Sequence, residues 1–249
     1  MKDMSILVTG GGSGIGEGCA RYFASRGAKV TISGRREDKV RAVAQSIGPS
    51  CAYVVGDVTS DSDRKKMIAT AVEHGRGLGA LVNNAGNTMH GQMESWTEQE
   101  LLGLMNSNVV APMLLSAAAV PHLERTEGAI ILLGSVHTRL ALTGRIPYAA
   151  SKGAIAVLTR VLAAELGPKK IRVNCVNPGA IPSEINVRAG AKDLGKEFFE
   201  SLNKMHPLGR IGKAEEIGEA MEYLICAEWT TGAIVDVDGG MGLGSAKLK

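Results

Sequence analysis

The stretch that most restricts this chain is Thr9-Gly10-Gly11-Gly12-Ser13-Gly14-Ile15-Gly16, five glycines in eight residues directly after an apolar, β-branched run at 5–9. Glycine has no Cβ and adopts backbone conformations closed to other residues, so such a run makes a tight turn and does not prolong a strand. Residues 15–26 then carry helical character up to Gly27, and a second strand is predicted at 29–33. Strand, glycine turn, helix and strand with short connections make a βαβ unit, whose crossover sets the two strands parallel.

The same alternation runs along the chain. Further strands are predicted at 53–55, 80–82, 129–133, 171–176 and 233–237, and helices at 37–47, 62–74, 98–123, 146–166 and 214–226. Pro112, near the middle of 98–123, predicts a kink in that helix. Residues 183–206 are charged and apolar by turns and are expected to form a helical insertion acting as a substrate lid. No Pro-, Ser- or charge-rich linker and no fixed repeat interrupts the series. Residues 1–249 therefore read as one α/β domain, a Rossmann-type doubly wound seven-stranded parallel sheet with helices on both faces.

Composition narrows the partners. Hydrophobic residues make up 45% and charged residues 21%, enough for a buried core. A net charge of +3, scattered along the chain, gives no footprint for nucleic acid. There is no run of about eighteen apolar residues to span a bilayer. Met1-Lys2-Asp3-Met4 leads into the first strand with no apolar signal core. The cysteines at 19, 51, 175 and 226 show no C-x-x-C or metal-ligand spacing, so reduced thiols in a cytoplasmic protein are expected. No H-E-x-x-H or H-x-E spacing supports a metal.

Placed after a first strand and ahead of a helix, the glycine turn suits a dinucleotide. Its backbone lets a pyrophosphate approach, and the helix N-terminus offers amides to the charge. The end of the second strand selects between dinucleotides. An acidic residue there would accept from the adenosine ribose and repel a 2′-phosphate. The sequence has Ile32-Ser33-Gly34-Arg35-Arg36, with no carboxylate, and a guanidinium is shaped to clamp phosphate. NADP(H) is expected over NAD(H), although Arg35 and Arg36 would also stand naturally as solvated residues at a helix start.

Tyr148 and Lys152 lie four apart on the predicted helix at 146–166, hence on one face. An ammonium about 4 Å from a phenol, at an effective dielectric near 20, favours the phenolate by about 4 kcal/mol. That would carry a tyrosine from about 10 to about 7, the range of a general acid and base. The pair alone is weak, since Y-x-x-x-K recurs in Ala-rich helices.

Together the motifs resemble the short-chain dehydrogenase/reductase family, in its short single-domain branch, over nearly the whole chain. The resemblance rests on the turn at 9–16, Asp57-Val58, Asn83-Asn84-Ala85-Gly86, the set Asn108, Ser135, Tyr148 and Lys152, and Pro178-Gly179. It implies that Gly10, Ser13, Gly14, Ile15 and Gly16 line the pyrophosphate, and that Asp57 and Val58 flank the adenine. Asn84, Ala85 and Gly86 would line the adenosine side of the cleft. Lys152 would bond the nicotinamide ribose, with Tyr148 beside it; Pro178 and Gly179, in the loop after the sixth strand, would also line the cofactor, and Ile181 and Ser183 would meet the carboxamide. Serine at 183 replaces a more frequent threonine and keeps the hydroxyl. Catalysis is implied for Ser135 as donor to the carbonyl, Tyr148 as proton donor and acceptor, and Asn108, breaking the local bonding midway along the helix at 98–123, as holder of a water linking Lys152 to solvent.

The resemblance therefore implies an oxidoreductase acting between NADP(H) and a small-molecule carbonyl or secondary alcohol. A 3-oxoacyl-[acyl-carrier-protein] reductase is the alternative within the class, and a dinucleotide sensor without catalysis the alternative outside it. Bacterial enoyl reductases carry a wider tyrosine-to-lysine spacing than Tyr148 and Lys152 do. Met89, His90 and His137 are candidate substrate contacts, whereas His74, His122 and His206 read as surface or helix-end residues. Asp238-Gly239-Gly240 matches a segment found at tetramer interfaces in the family, so a homotetramer is expected.

Overall fold

The computed structural model describes residues 1–182 and 196–244; Ser183 and most of the expected lid lie outside the described residues. Seven strands form one parallel sheet: β1 (Ser5–Thr9), β2 (Lys29–Gly34), β3 (Cys51–Val55), β4 (Ala80–Asn83), β5 (Ala129–Leu133), β6 (Arg172–Pro178) and β7 (Ile234–Val237). Their spatial order is β3-β2-β1-β4-β5-β6-β7, so the chain steps outward from β1 on one side, then returns to start again on the other. The reversal falls between β1 and β4, where Val8 pairs with Val82. A crevice opens there at the carboxyl ends of the strands, because the helices following β1 and β4 leave in opposite directions.

Alternation of side chains along each strand builds two cores. Ile6 and Val8 face one side, with Val30 and Ile32 of β2, against Cys19, Ala20 and Phe23 of α1 (Gly14–Ser25). Val40 and Val43 of α2 (Glu37–Ile47) join that layer. Leu7 faces the other side, with Leu81, Ile130 and Leu132, against Met67 and Ala71 of α3 (Asp61–Gly75). All four strand residues on this second side are fully buried, as parallel strands covered on both faces require.

The segment predicted as one helix at 98–123 is three pieces: α4 (Glu98–Met105), a π-helical turn at Asn106–Val110, and α5 (Ala111–Leu123). The irregularity is not at Pro112, which falls in the first turn of α5, where a missing N–H costs little. It lies at the π turn, around the buried Asn108, whose amide is used outside the helix. The joined run Glu98–Thr126 is, by length and composition alone, long and apolar enough to cross a bilayer. In the fold, Leu115, Ala119 and Leu123 of α5 are instead completely buried in the second core.

The remaining helices are α6 (Ile146–Leu166), α7 (Lys196–Met205) and α8 (Ala214–Cys226). α8 packs beside α1, where Gly18 lies so close to Ala214 that a Cβ there would overlap it. All four cysteines are free thiols.

Candidate active site

The glycine turn sits at the reversal point. Gly10 and Gly14 have φ of +68° and +57°, conformations that a side chain would strain. A Cβ on Gly16 would run into the carbonyl oxygen of Gly10. Thr9 fixes the turn to the neighbouring strand: its hydroxyl accepts from the backbone N–H groups of Asn84 and Ala85, both at 3.0 Å. Asn84 answers by donating its amide to the carbonyls of Thr9 at 2.7 Å and Gly10 at 3.3 Å. Neither loop end can therefore move without the other.

Between them lies a cleft of about 580 Å³, lined among others by Ser13, Ile15, Arg35, Asp57, Val58 and Gly86. Its floor is glycine backbone at a helix N-terminus and its far wall is basic, which fits a dinucleotide's pyrophosphate. Arg36 donates to the Ser13 hydroxyl at 3.4 Å, and Arg35 stands 3.7 Å from the Asp57 carboxylate. Burial alone would raise the Asp57 carboxyl. The N–H and hydroxyl of Thr59, and then Arg35, outweigh it and leave the group below its ordinary value. The end of β2 thus presents guanidinium groups and no carboxylate of its own, while Asp57 on the next strand neutralises part of Arg35.

Beside the same crevice, the end of β5 and α6 bring Ser135, Tyr148 and Lys152 together. Ser135, just past β5, donates its backbone N–H to Asn177 Oδ1 at 3.0 Å. Lys152, one helical turn beyond Tyr148, buries its ammonium and donates to the carbonyl of Leu133 at 2.7 Å. Asn108 binds the loop after β4 to α6: Oδ1 accepts from Asn87 N–H at 2.8 Å, and Nδ2 donates to Asn87 O at 2.9 Å and Ser151 Oγ at 3.0 Å. Ser151 Oγ in turn donates to Tyr148 O at 2.7 Å. The π turn is what frees Asn108 for this bridging position.

The expected pairing of Tyr148 with Lys152 needs correction. The Lys152 ammonium is 5.7 Å from the centre of the Tyr148 ring and is engaged by Leu133. Burial dominates the phenol and raises it above its usual value, with Ser135 and then Arg145 opposing. Burial likewise pushes Lys152 down to about 8. Lys152 still stands over the Tyr148 ring, and Arg145, which the sequence reading did not single out, is a second cation favouring the phenolate. Arg145 lies three residues before Tyr148, at the N-cap of α6, and donates to Thr88 Oγ1 at 3.1 Å. It has no carboxylate partner among the described residues. The available signal was its i, i+3 spacing from the tyrosine.

Arg145→Gln removes a charge that favours the phenolate, so the Tyr148 pKa is expected to rise. Alcohol oxidation, which needs the phenolate, should then gain its activity at higher pH than in the wild type. A pH profile of kcat/KM that is unmoved or displaced to lower pH would contradict this coupling.

Other expected contacts distribute unevenly. Pro178, Gly179 and Ile181 do not line the first cleft; Gly179 and Ile181 border a second one of about 470 Å³, with His206 and Gly239. His206 is buried and satisfied, with Nδ1 at 2.7 Å from Leu202 O and Nε2 accepting from Ala180 N–H at 3.3 Å. This differs from a surface role. His90 is exposed and lies against Gly144, and Met89 is partly buried beside it in sequence. His137 stands edge-on to Tyr148, ring centres 5.4 Å apart. No cluster of three metal-ligating side chains occurs among the described residues.

A doubly wound parallel sheet, a glycine turn at its reversal point and a Ser-Tyr-Lys group beside it define a dinucleotide-dependent oxidoreductase architecture. A family model described as enoyl-(acyl carrier protein) reductase matches residues 10–242. An uncharacterized oxidoreductase of Thermotoga maritima is 37% identical over 94% of this chain and 96% of that protein. A glucose 1-dehydrogenase of Gluconobacter oxydans is 35% identical over 96% of this chain and 91% of that protein. The crystal structure of a 3-ketoacyl-(acyl-carrier-protein) reductase from Brucella melitensis, complexed with NADH, superposes with a TM-score of 0.88 at 29% identity, covering 97% of this chain and 99% of that one. The chain belongs to the short-chain dehydrogenase/reductase family and is an oxidoreductase.

Proposed function

We propose that the chain reduces a small carbonyl compound, or oxidises the corresponding secondary alcohol, with NADP(H) seated in the cleft at the β1–β4 reversal. The observation that carries this is the grouping of Ser135, Tyr148 and Lys152 beside a glycine-floored cleft, whose lining residue Leu133 accepts from the Lys152 ammonium. When bound, the dinucleotide supplies the hydride to the carbonyl carbon or takes it from the alcohol. Ser135 Oγ–H donates to the substrate oxygen and orients it. Tyr148 Oη–H gives that oxygen its proton in reduction and recovers it in oxidation. The raised phenol pKa keeps Tyr148 protonated at neutral pH, which suits reduction. Lys152 carries the positive charge that the ribose hydroxyls of the dinucleotide meet, and Asn108 secures the loop and helix between which this happens.

The preference for NADP(H) rests on Arg35 and Arg36 at the end of β2. Replacing both by serine is expected to raise KM for NADPH by about tenfold or more and leave KM for NADH nearly unchanged, since a lost charge-assisted phosphate contact is worth roughly 1.5–3 kcal/mol. A lower wild-type KM for NADH than for NADPH would remove the preference. The relative complexed with NADH makes this comparison the decisive one. The same relative, a ketoacyl reductase, supports an acyl thioester as the second substrate reading. Activity on acetoacetyl thioesters against simple and hydroxylated ketones separates the two.

A homotetramer is also proposed. Leu102, Met113 and Leu114 on α4 and α5, and Val157 and Val161 on α6, leave apolar side chains in solvent, and Trp229 is 99% exposed. Faces of this kind mark contacts with other chains. Sedimentation as a monomer at micromolar concentration would overturn this assignment.

A further inference from the structure

Among the described residues, His137 holds the one buried polar atom at the reaction centre that lacks a partner. Its Nδ1 is 3.0 Å from Ser135 Oγ, and its backbone N–H donates to that same oxygen at 3.2 Å. Its Nε2 is shut away from solvent and meets no donor or acceptor among the described residues. Burial, and then Arg145, push the imidazole down to about 4, so at neutral pH the ring carries a single proton.

Ser135 has one proton and two lone pairs to distribute. If its proton went to His137 Nδ1, the hydroxyl would have none for the substrate, and Nε2 would carry the ring's N–H. Carbonyl reduction requires the opposite arrangement. With the ring proton on Nδ1, both lone pairs of Ser135 Oγ are filled by His137, from its backbone and from its ring. The Ser135 proton is then left for the Tyr148 oxygen, with which Ser135 shares a hydrogen bond, or for a substrate oxygen placed between the two. The same choice leaves Nε2 as a bare buried acceptor, and buried acceptors are paired in stable structures. Among the described residues nothing completes it, which leaves the place for a donor carried by a ligand.

Resting on the oxidoreductase reading above, we propose that His137 is a positioning residue whose Nδ1–H fixes Ser135 as a donor, and whose Nε2 accepts from a hydroxyl on the substrate next to the reacting carbon. The substrate class is then a hydroxylated carbonyl compound or its polyol. A neutral imidazole does not select a carboxylate, which separates this class from oxo acids.

The test uses the full chain with NADPH and three matched pairs, each a hydroxyketone and its methyl isostere, such as hydroxyacetone and butanone. The wild type is expected to favour each hydroxyketone by about tenfold or more in kcat/KM, since a site built for a hydroxyl rejects its apolar analogue. His137→Asn keeps an amide near the Nδ1 position and has nothing at Nε2, so the hydroxyl preference should fall towards unity. His137→Gln places its amide near Nε2 only, so kcat should fall on both members of a pair while the preference survives. Thermal melting and NADPH binding of each variant report on folding. Nitrogen chemical shifts of the labelled His137 ring should show the proton on Nδ1.

A wild type indifferent to the hydroxyl, a His137→Asn variant that keeps the preference, or a proton found on Nε2 overturns the proposal. Turnover of other carbonyls without any of these pairs overturns the substrate class alone. No turnover of any carbonyl sinks the oxidoreductase reading beneath it.

Discussion

Tyr148→Phe is expected to lower kcat for carbonyl reduction by about 100-fold or more, because a positioned general acid contributes roughly 10²–10⁴. The substitution removes one oxygen and leaves the ring, so the edge-on contact with His137 at 5.4 Å is retained. Dinucleotide binding should change little, because the cleft floor and its basic wall are untouched. The two readouts together separate loss of the proton donor from loss of the fold. A fully active Tyr148→Phe enzyme would show that the proton comes from elsewhere.

Lys152→Met should cost both turnover and dinucleotide affinity. Lys152 is 5% exposed and its ammonium's hydrogen bond to Leu133 O, at 2.7 Å, holds the end of β5 against α6. Methionine fills the space but leaves that carbonyl without its donor, a loss of about 1–3 kcal/mol for a buried group. It also removes the charge offered to the ribose, so kcat/KM should fall about 100-fold or more with a weaker dinucleotide Kd. A pH signature accompanies this. Burial depresses the lysine to about 8 in the dinucleotide-free protein, so its charge is present below that pH and lost as pH rises through it. Wild-type affinity for the dinucleotide should therefore decline above about pH 8, and Lys152→Met should lack that limb. A variant that binds NADPH like the wild type would contradict the ribose role.

Much of the fold was legible because period and punctuation agreed. β1, α2, β5, α6 and α8 begin and end where apolar runs, glycines and prolines place them. What escaped detection were partners set by distant contacts. The break expected at Asn108 is the π turn at Asn106–Val110, but Asn108 reaches Asn87 and Ser151, contacts at 21 and 43 residues' separation that helical periodicity does not register. The kink expected at Pro112 is not where the irregularity lies.

Spacing also brought Tyr148 and Lys152 to one helix face, but not their environment. The four-residue spacing was compatible with direct pairing, yet the lysine found a backbone carbonyl nineteen residues back along the chain. Burial then reversed the expected direction of the tyrosine shift. Arg145, held by Thr88 of the loop after β4, adds a second cation near the tyrosine. Residues after β6 were placed in the dinucleotide site by resemblance, yet Gly179 and Ile181 border a separate cleft in this structure.

The most direct measurement follows the hydride. Protein is mixed with a ketone panel and NADPH deuterated at the transferring carbon of its nicotinamide, and the alcohol is analysed by mass spectrometry. The account predicts one deuterium on the carbinol carbon in the wild type, and almost none with Tyr148→Phe under the same conditions. Firm NADPH binding with no label transferred to any carbonyl would contradict it and leave a dinucleotide sensor in its place.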